Sequence, residues 1–192
     1  LRYDSIYMDD IKLKTVCPLP WVHFSAHLDS TMRICCNTDH SGFVVDNNGN
    51  NIKLSEIQDI DEYFNLDYYK DIRKKMLAGE KHEVCKKCYQ VEDAGGSSVR
   101  QGYLGHYKNN RSFVFSLLQT DKNGEVPPNV QSLDFSLSNN CNLKCIMCSP
   151  EFSTLWYDDY ESIYGTDAVG FGGYKKYNIV KDRHGRNTLD FV

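Results

Sequence analysis

Apolar and polar positions first fall into register near the start of the chain. Val22, Phe24, Ala26 and Leu28 interleave with His23, Ser25 and His27, the period-two pattern of a half-buried strand. Asp29-Ser30 reads as a turn and TMRICC as the returning strand, which together predict a β-hairpin. A second turn is expected at DNNGNN, residues 46–51. The period then lengthens. Within residues 55–81, Leu66, Tyr69, Ile72, Met76 and Leu77 recur near helical spacing, with Asn65 as candidate N-cap and Gly79 as stop.

Past that stop, residues 89–107 predict a short helix broken at Gly95-Gly96. SFVFSLL, residues 112–118, fits a strand or a short helix equally, and DKNGEVPP is turn and linker chemistry. Alternation resumes at Leu133, Phe135 and Leu137 against Asp134, Ser136 and Ser138, which predicts one strand ended by Asn139-Asn140. SPEFSTLWYDDYESIYG reads as the following helix, and the polar, Gly-rich residues 165–192 receive no assigned structure. The expected organisation is a unit over 1–120, a linker over 121–130 and a second unit over 131–192.

Composition narrows the possibilities. The 192 residues are 41% hydrophobic and 25% charged, the balance of a globular protein. No apolar run approaches the ~18 residues of a membrane helix. The start, LRYDSIYMDDIKLK, has no apolar signal region, and it lacks an initiator Met. These features predict no membrane partner and a cytoplasmic location. A net charge of −4 argues against nucleic acid as a partner. The basic runs RKKM and KK are expected to be solvated helix faces.

The eight cysteines change the picture most. Cys17, Cys35, Cys36, Cys85, Cys88, Cys141, Cys145 and Cys148 fall in tight clusters, which reads as metal or redox chemistry rather than a disulfide framework. Cys141, Cys145 and Cys148 are spaced C-x3-C-x2-C in the loop that leaves the predicted strand. Thiolates are soft ligands that select iron–sulfur clusters, zinc or Cu(I). Three cysteines can wrap three corners of a four-iron cubane and leave its fourth iron open to a chelating ligand.

The stretch LDFSLSNNCNLKCIMC resembles the cluster loop of radical S-adenosylmethionine enzymes. The resemblance implies that Cys141, Cys145 and Cys148 hold a [4Fe-4S] cluster. Its open iron binds the amino and carboxylate groups of S-adenosylmethionine. Reductive cleavage of the cofactor then gives methionine and a 5′-deoxyadenosyl radical that abstracts hydrogen from substrate. Met147 stands where the family usually has an aromatic residue near the adenine, and Met can pack there too.

CPLPW, MRICC and CKKCYQVEDAGGSSVRQ resemble the auxiliary-cluster module of twitch-domain radical enzymes, a short relative of the SPASM domain. The likeness covers residues 17 to about 101, with Ser30 where the turn usually carries Gly. It implies a second iron–sulfur cluster on Cys17, Cys35, Cys85 and Cys88, with Cys36 as the alternative to Cys35. Successive residues of a strand face opposite sides, so one of that pair is expected to ligate. Zinc is the alternative metal, since a four-cysteine knot accepts the same spacing.

His23 and His27 are expected on the surface, and His82, in H-x2-C-x2-C, is a weaker ligand candidate. Arg100 and Glu92 match the module's pattern and equally suit a salt bridge or a cap. GFGGY, 170–174, is a weak cofactor-loop candidate, with Tyr174 where the family has an acid.

The fold implied is an α+β module, a hairpin plus helices, followed by the first β/α unit of an incomplete, TIM-like α/β barrel. Such a barrel needs about 200 residues or more, and 44 follow Cys148. The resemblance therefore implies the N-terminal part of a longer enzyme, inactive alone. Implied partners are S-adenosylmethionine, an electron donor such as flavodoxin or ferredoxin, and a peptide or small-molecule substrate. Two other readings fit the cysteines: a zinc-binding interaction module, and a two-cluster electron-transfer protein.

Overall fold

A computed structural model describes residues 14–38, 42–136, 141–150, 152–164, 179–181 and 187–189. The fold is mixed α+β: seven helices, a three-stranded sheet and a two-stranded sheet among the described residues. The chain forms two compact units, Leu1–Ser25 with Met32–Asp134, and Ala26–Thr31 with Phe135–Val192.

A short helix α1 (Leu19–Val22) runs directly into strand β1 (His23–Ala26). β1 is the middle strand, with β2 (Met32–Arg33) on one side and β3 (Ser132–Phe135) on the other. The Gln131 N–H donates to Val22 C=O at 2.8 Å and the Ser136 N–H to Ala26 C=O at 3.2 Å. Both numbers rise together, so β3 runs parallel to β1. A central strand is covered on both faces, and all four residues of β1 are buried. The half-buried strand expected from alternation is therefore buried throughout. His23, expected on the surface, is 4% exposed and shares a 2.9 Å hydrogen bond between Nδ1 and Ser132 Oγ.

Helices α2 (Ile60–Phe64) and α3 (Asp67–Leu77) supply most of the core. Tyr69, Ile72, Arg73 and Met76 form the buried stripe of α3, and Phe24, Tyr63, Phe64 and Tyr69 make an aromatic cluster with centroids 5.1–6.4 Å apart. Asn65 does not cap α3, whose N-cap is Leu66. Its amide instead joins two segments, accepting from Val126 N–H at 3.0 Å and donating to Val126 C=O at 3.1 Å. Gly79 does stop α3. Its φ is 80°, and Glu80 N–H reaches back to Lys75 C=O, closing a Schellman turn.

Arg73 corrects the reading of RKKM as a solvated face. It is fully buried and donates to the carbonyls of Pro20, Phe64 and Gly124 and to Asn65 Oδ1, with the guanidinium 5.4 Å from the Tyr69 ring. Burial lowers its pKa to about 10.

Three more helices follow: α4 (Lys86–Asp93), α5 (Val99–Tyr107) and α6 (Arg111–Gln119). The break between α4 and α5 is the expected one: Gly95 has φ 81° and Gly96 N–H bonds to Val91 C=O. SFVFSLL resolves as helix α6. Asn110 caps it, and Phe113, Ser116 and Leu117 are buried at helical spacing. α1 lies against α3 and α6, with Trp21 fully buried, 6.3 Å from the Phe113 ring and donating to Thr120 Oγ1 at 2.8 Å.

The second unit holds the hairpin tip, where His27 N–H bonds to Thr31 C=O and Ser30 takes φ 63°. A 3-10 turn (Thr154–Trp156) leads into helix α7 (Tyr157–Tyr164). Strands β4 (Ile179–Lys181) and β5 (Asn187–Leu189) pair antiparallel, Val180 opposite Thr188, in the tail to which the sequence assigned no structure. Asn139-Asn140 and GFGGY, 170–174, lie outside the described residues. No described helix is long and apolar enough to cross a membrane.

Candidate metal centres

Four of the cysteines come from three distant segments and line one pocket: Cys17, Cys35, Cys85 and Cys88. The pocket is a small, partly open hollow. Ile34, Val84 and Val99 give it apolar walls, and among the described residues no carboxylate or imidazole lines it. Cys36 is exposed and is not part of the lining.

Each thiol is placed by its element. Cys17 immediately precedes the Pro18 that opens α1. Its neighbours are held from α4 and α5. Arg100 Nη1 donates to Val16 C=O at 2.7 Å and Tyr89 Oη to Thr15 C=O at 2.8 Å. Arg100 itself is clamped by Glu92, Nε to Oε1 at 2.9 Å and Nη2 to Oε2 at 2.5 Å, and Ser98 Oγ also bonds Glu92. This is the packing role for the Arg100–Glu92 pair. Against the cost of burial, Arg100 and Ser98 hold the Glu92 carboxyl below its ordinary range.

Cys35 sits in the turn after β2, where Thr38 Oγ1 donates to Cys35 C=O at 2.9 Å. Cys85 is the N-cap of α4 and Cys88 lies in its first turn. The C-x2-C spacing thus puts both thiols at the N-terminal end of one helix. His82 is occupied elsewhere: its Nδ1 accepts from Val84 N–H at 3.1 Å and its Nε2 lies 3.0 Å from Asp71 Oδ2.

The surroundings of Cys17, Cys35 and Cys85 favour the neutral thiol. Burial, then the neighbouring Cys85, pushes Cys17 well above its ordinary value. Burial likewise pushes Cys35 up to about 11 and Cys85 up to about 12, with the other thiols adding to it. A cation bound among them reverses that cost and releases protons.

Asn37 was missed in the sequence. Its backbone N–H donates to Cys35 Sγ at 3.3 Å, and its Nδ2 to Cys88 Sγ at 3.4 Å. The available signal was spacing, since a tight turn brings the N–H two residues on back to the sulfur. The same contact recurs at the second site, from Leu143 N–H to Cys141 Sγ at 3.4 Å.

That second site is the loop 141–148 in the other unit. Cys141 and Cys148 are half-buried and Cys145 is exposed. Among the described residues, neither here nor in the pocket of Cys17, Cys35, Cys85 and Cys88 do three Cys, His, Asp or Glu side chains converge as they would around a bound metal ion. The loop backbone is tied down from the segment after it. Trp156 Nε1 donates to Cys145 C=O at 3.1 Å and Ser153 Oγ to Leu143 C=O at 2.9 Å. Lys144 lies 5.1 Å from the Trp156 ring and pairs with Asp159. Cys148 N–H closes a turn on Cys145 C=O at 2.9 Å. Ile146 and Met147, at the crest, are 92% and 95% exposed. The arrangement offers three soft donors on an anchored loop, with an apolar surface beside them.

The chain matches no family model, no curated protein and no solved structure.

Proposed function

We propose that the chain carries two iron–sulfur groups and belongs to the radical S-adenosylmethionine class of enzymes. One observation carries this reading. The four cysteines that the resemblance selects, spread from residue 17 to residue 88, are the four that line one pocket, and Cys36 is left outside it. The donor set fits: four thiols, with no harder ligand among the described lining residues, suit an iron–sulfur group or zinc.

In this reading Cys17, Cys35, Cys85 and Cys88 hold the auxiliary group. Cys141, Cys145 and Cys148 would be the ligands of the cluster that meets S-adenosylmethionine, and Met147 would pack beside that cofactor. When bound, that cluster supplies the electron that splits the cofactor and yields a radical able to abstract hydrogen from substrate. The protein's own groups do the positioning. Trp156 and Ser153 hold the carbonyls of Cys145 and Leu143 and so limit the freedom of the loop between the cysteines. Arg100, locked by Glu92, fixes the carbonyl before Cys17 and sets a positive charge near the ligand sulfurs. β3, the loop and α7 are the first β/α unit of an α/β barrel in the same proposal. A peptide or small molecule is the substrate and a flavodoxin or ferredoxin the electron donor.

The test is the EPR spectrum of anaerobic, reduced protein with and without S-adenosylmethionine. The expected result is two overlapping signals, one of which shifts when the cofactor is added. A spectrum indifferent to the cofactor, with iron present, overturns the enzyme reading in favour of electron transfer. Zinc in place of iron leaves an interaction module.

A further inference from the structure

Asn37 makes an unusual pair of contacts. One residue donates to two sulfurs that lie 53 residues apart in the chain, Cys35 Sγ through its backbone N–H and Cys88 Sγ through its side-chain amide. The turn that holds it is over-determined. Thr38 Oγ1 bonds Cys35 C=O at 2.9 Å, Arg33 Nη2 bonds Thr38 C=O at 3.1 Å, and Ile34 N–H bonds Gly42 C=O at 2.9 Å. Gly42 is pressed against this turn so closely that a Cβ there would meet Thr38 Oγ1 at 1.7 Å. A thiol sulfur is a weak acceptor, whereas a metal-bound thiolate carries negative charge and accepts strongly. Two donors held on two ligand sulfurs are therefore far more useful to a loaded site than to a bare one.

We propose that Asn37 tunes the reduction potential of the iron–sulfur group held by Cys17, Cys35, Cys85 and Cys88, through its two N–H···S hydrogen bonds. The inference rests on the iron–sulfur reading of that pocket. One-electron reduction adds a negative charge to the iron–sulfur–thiolate unit. N–H donors to the sulfurs stabilise that reduced form more than the oxidised one and so raise the potential. The side-chain bond to Cys88 is the part a substitution can remove, because the backbone donor to Cys35 remains.

The experiment uses the full chain with Cys141, Cys145 and Cys148 changed to Ala, so that the pocket gives the sole iron signal. Asn37 is compared with Asn37→Leu, which removes the side-chain donor, and Asn37→Asp, which keeps the shape but replaces the donor with a negative charge. Each protein is loaded anaerobically with iron and sulfide, assayed for iron, and titrated with dithionite while the EPR signal is followed. The expected result is equal iron in all three. The midpoint shifts to more negative potential in Asn37→Leu and further in Asn37→Asp. Equal midpoints overturn the proposal, as does a shift in Asn37→Leu alone, which would mark a packing role. Loss of iron from both variants also overturns it, in favour of a role in assembly. If the parent with Asn37 intact takes up zinc or no metal, the iron–sulfur reading of the pocket fails and the inference fails with it.

Discussion

Cys35 and Cys36 are neighbours in the turn after β2 with different surroundings. Cys35 faces the pocket with its sulfur held by Asn37, while Cys36 is exposed. Under the proposed function, Cys35→Ser releases the auxiliary iron and Cys36→Ser retains it; equal iron in both variants contradicts the assignment. Arg100 is the second residue on which the site depends. It is 3% exposed, and removing it leaves Glu92 charged and half-enclosed and Val16 C=O without its donor. Arg100→Leu is expected to cost about 3 kcal/mol, in the range for breaking a buried ion pair. A urea midpoint within error of the parent would show that the clamp contributes nothing. His23 was misread as a surface residue and Arg73 as part of a solvated face. Their partners explain why: His23 meets Ser132, 109 positions away, and Arg73 meets carbonyls from three separate segments. Burial of a polar side chain depends on such distant partners, which no local pattern records.

Among the elements, those bounded by glycine with positive φ were the legible ones. Gly79 ends α3 and Gly95 ends α4, and both make the turns expected of them because only glycine takes that conformation freely. The hairpin turn was legible as well, and its one departure is a strained residue: Ser30 holds φ 63°, where glycine is favoured. Ser30→Gly is expected to stabilise the chain by about 0.5–1 kcal/mol, the usual gain from relieving a left-handed non-glycine residue after the cost in chain entropy. A lower thermal midpoint in that variant would contradict the strain argument. Gly124 is the opposite case. At φ 85°, its Cβ would lie 2.5 Å from Lys70 C=O, and its own carbonyl accepts from Arg73. Gly124→Ala should cost about 1–3 kcal/mol, read as a fall in the urea midpoint, and a neutral result would mean the turn relaxes freely. Residues 112–118 were ambiguous for a physical reason. A short apolar run fits either period, and it became α6 because Asn110 caps it and Trp21 and Tyr107 meet Phe113 on one helical face.

For the molecule as a whole, acid sensitivity follows from the core. Burial lowers the His23 pKa from its ordinary value near 6.5, and Asp134 and Ser132 oppose this only in part. The imidazole is thus neutral in the folded chain, while the unfolded chain takes up a proton below about pH 6.5. The His23 contribution is complete above that pH and is lost as the pH falls from about 6.5 toward the folded value. Urea unfolding at about pH 7.5 and about pH 5.5 should show a fall that is smaller in His23→Asn; an equal fall in both proteins would place the sensitivity elsewhere. The cysteine spacing and the α+β class were readable from the chain alone. The four cysteines of the pocket were grouped by the family resemblance, but what closes the pocket was not readable, because it depends on Arg100, Tyr89 and Asn37 acting between segments. Under the proposed function this pocket holds an iron–sulfur group, and metal analysis decides between that and its alternatives. Iron, acid-labile sulfide and zinc are counted in the anaerobically loaded chain with Cys141, Cys145 and Cys148 changed to Ala. The account predicts iron and sulfide in matching amounts, up to roughly four of each for a cubane. A single zinc per chain, or no metal at all, would contradict it.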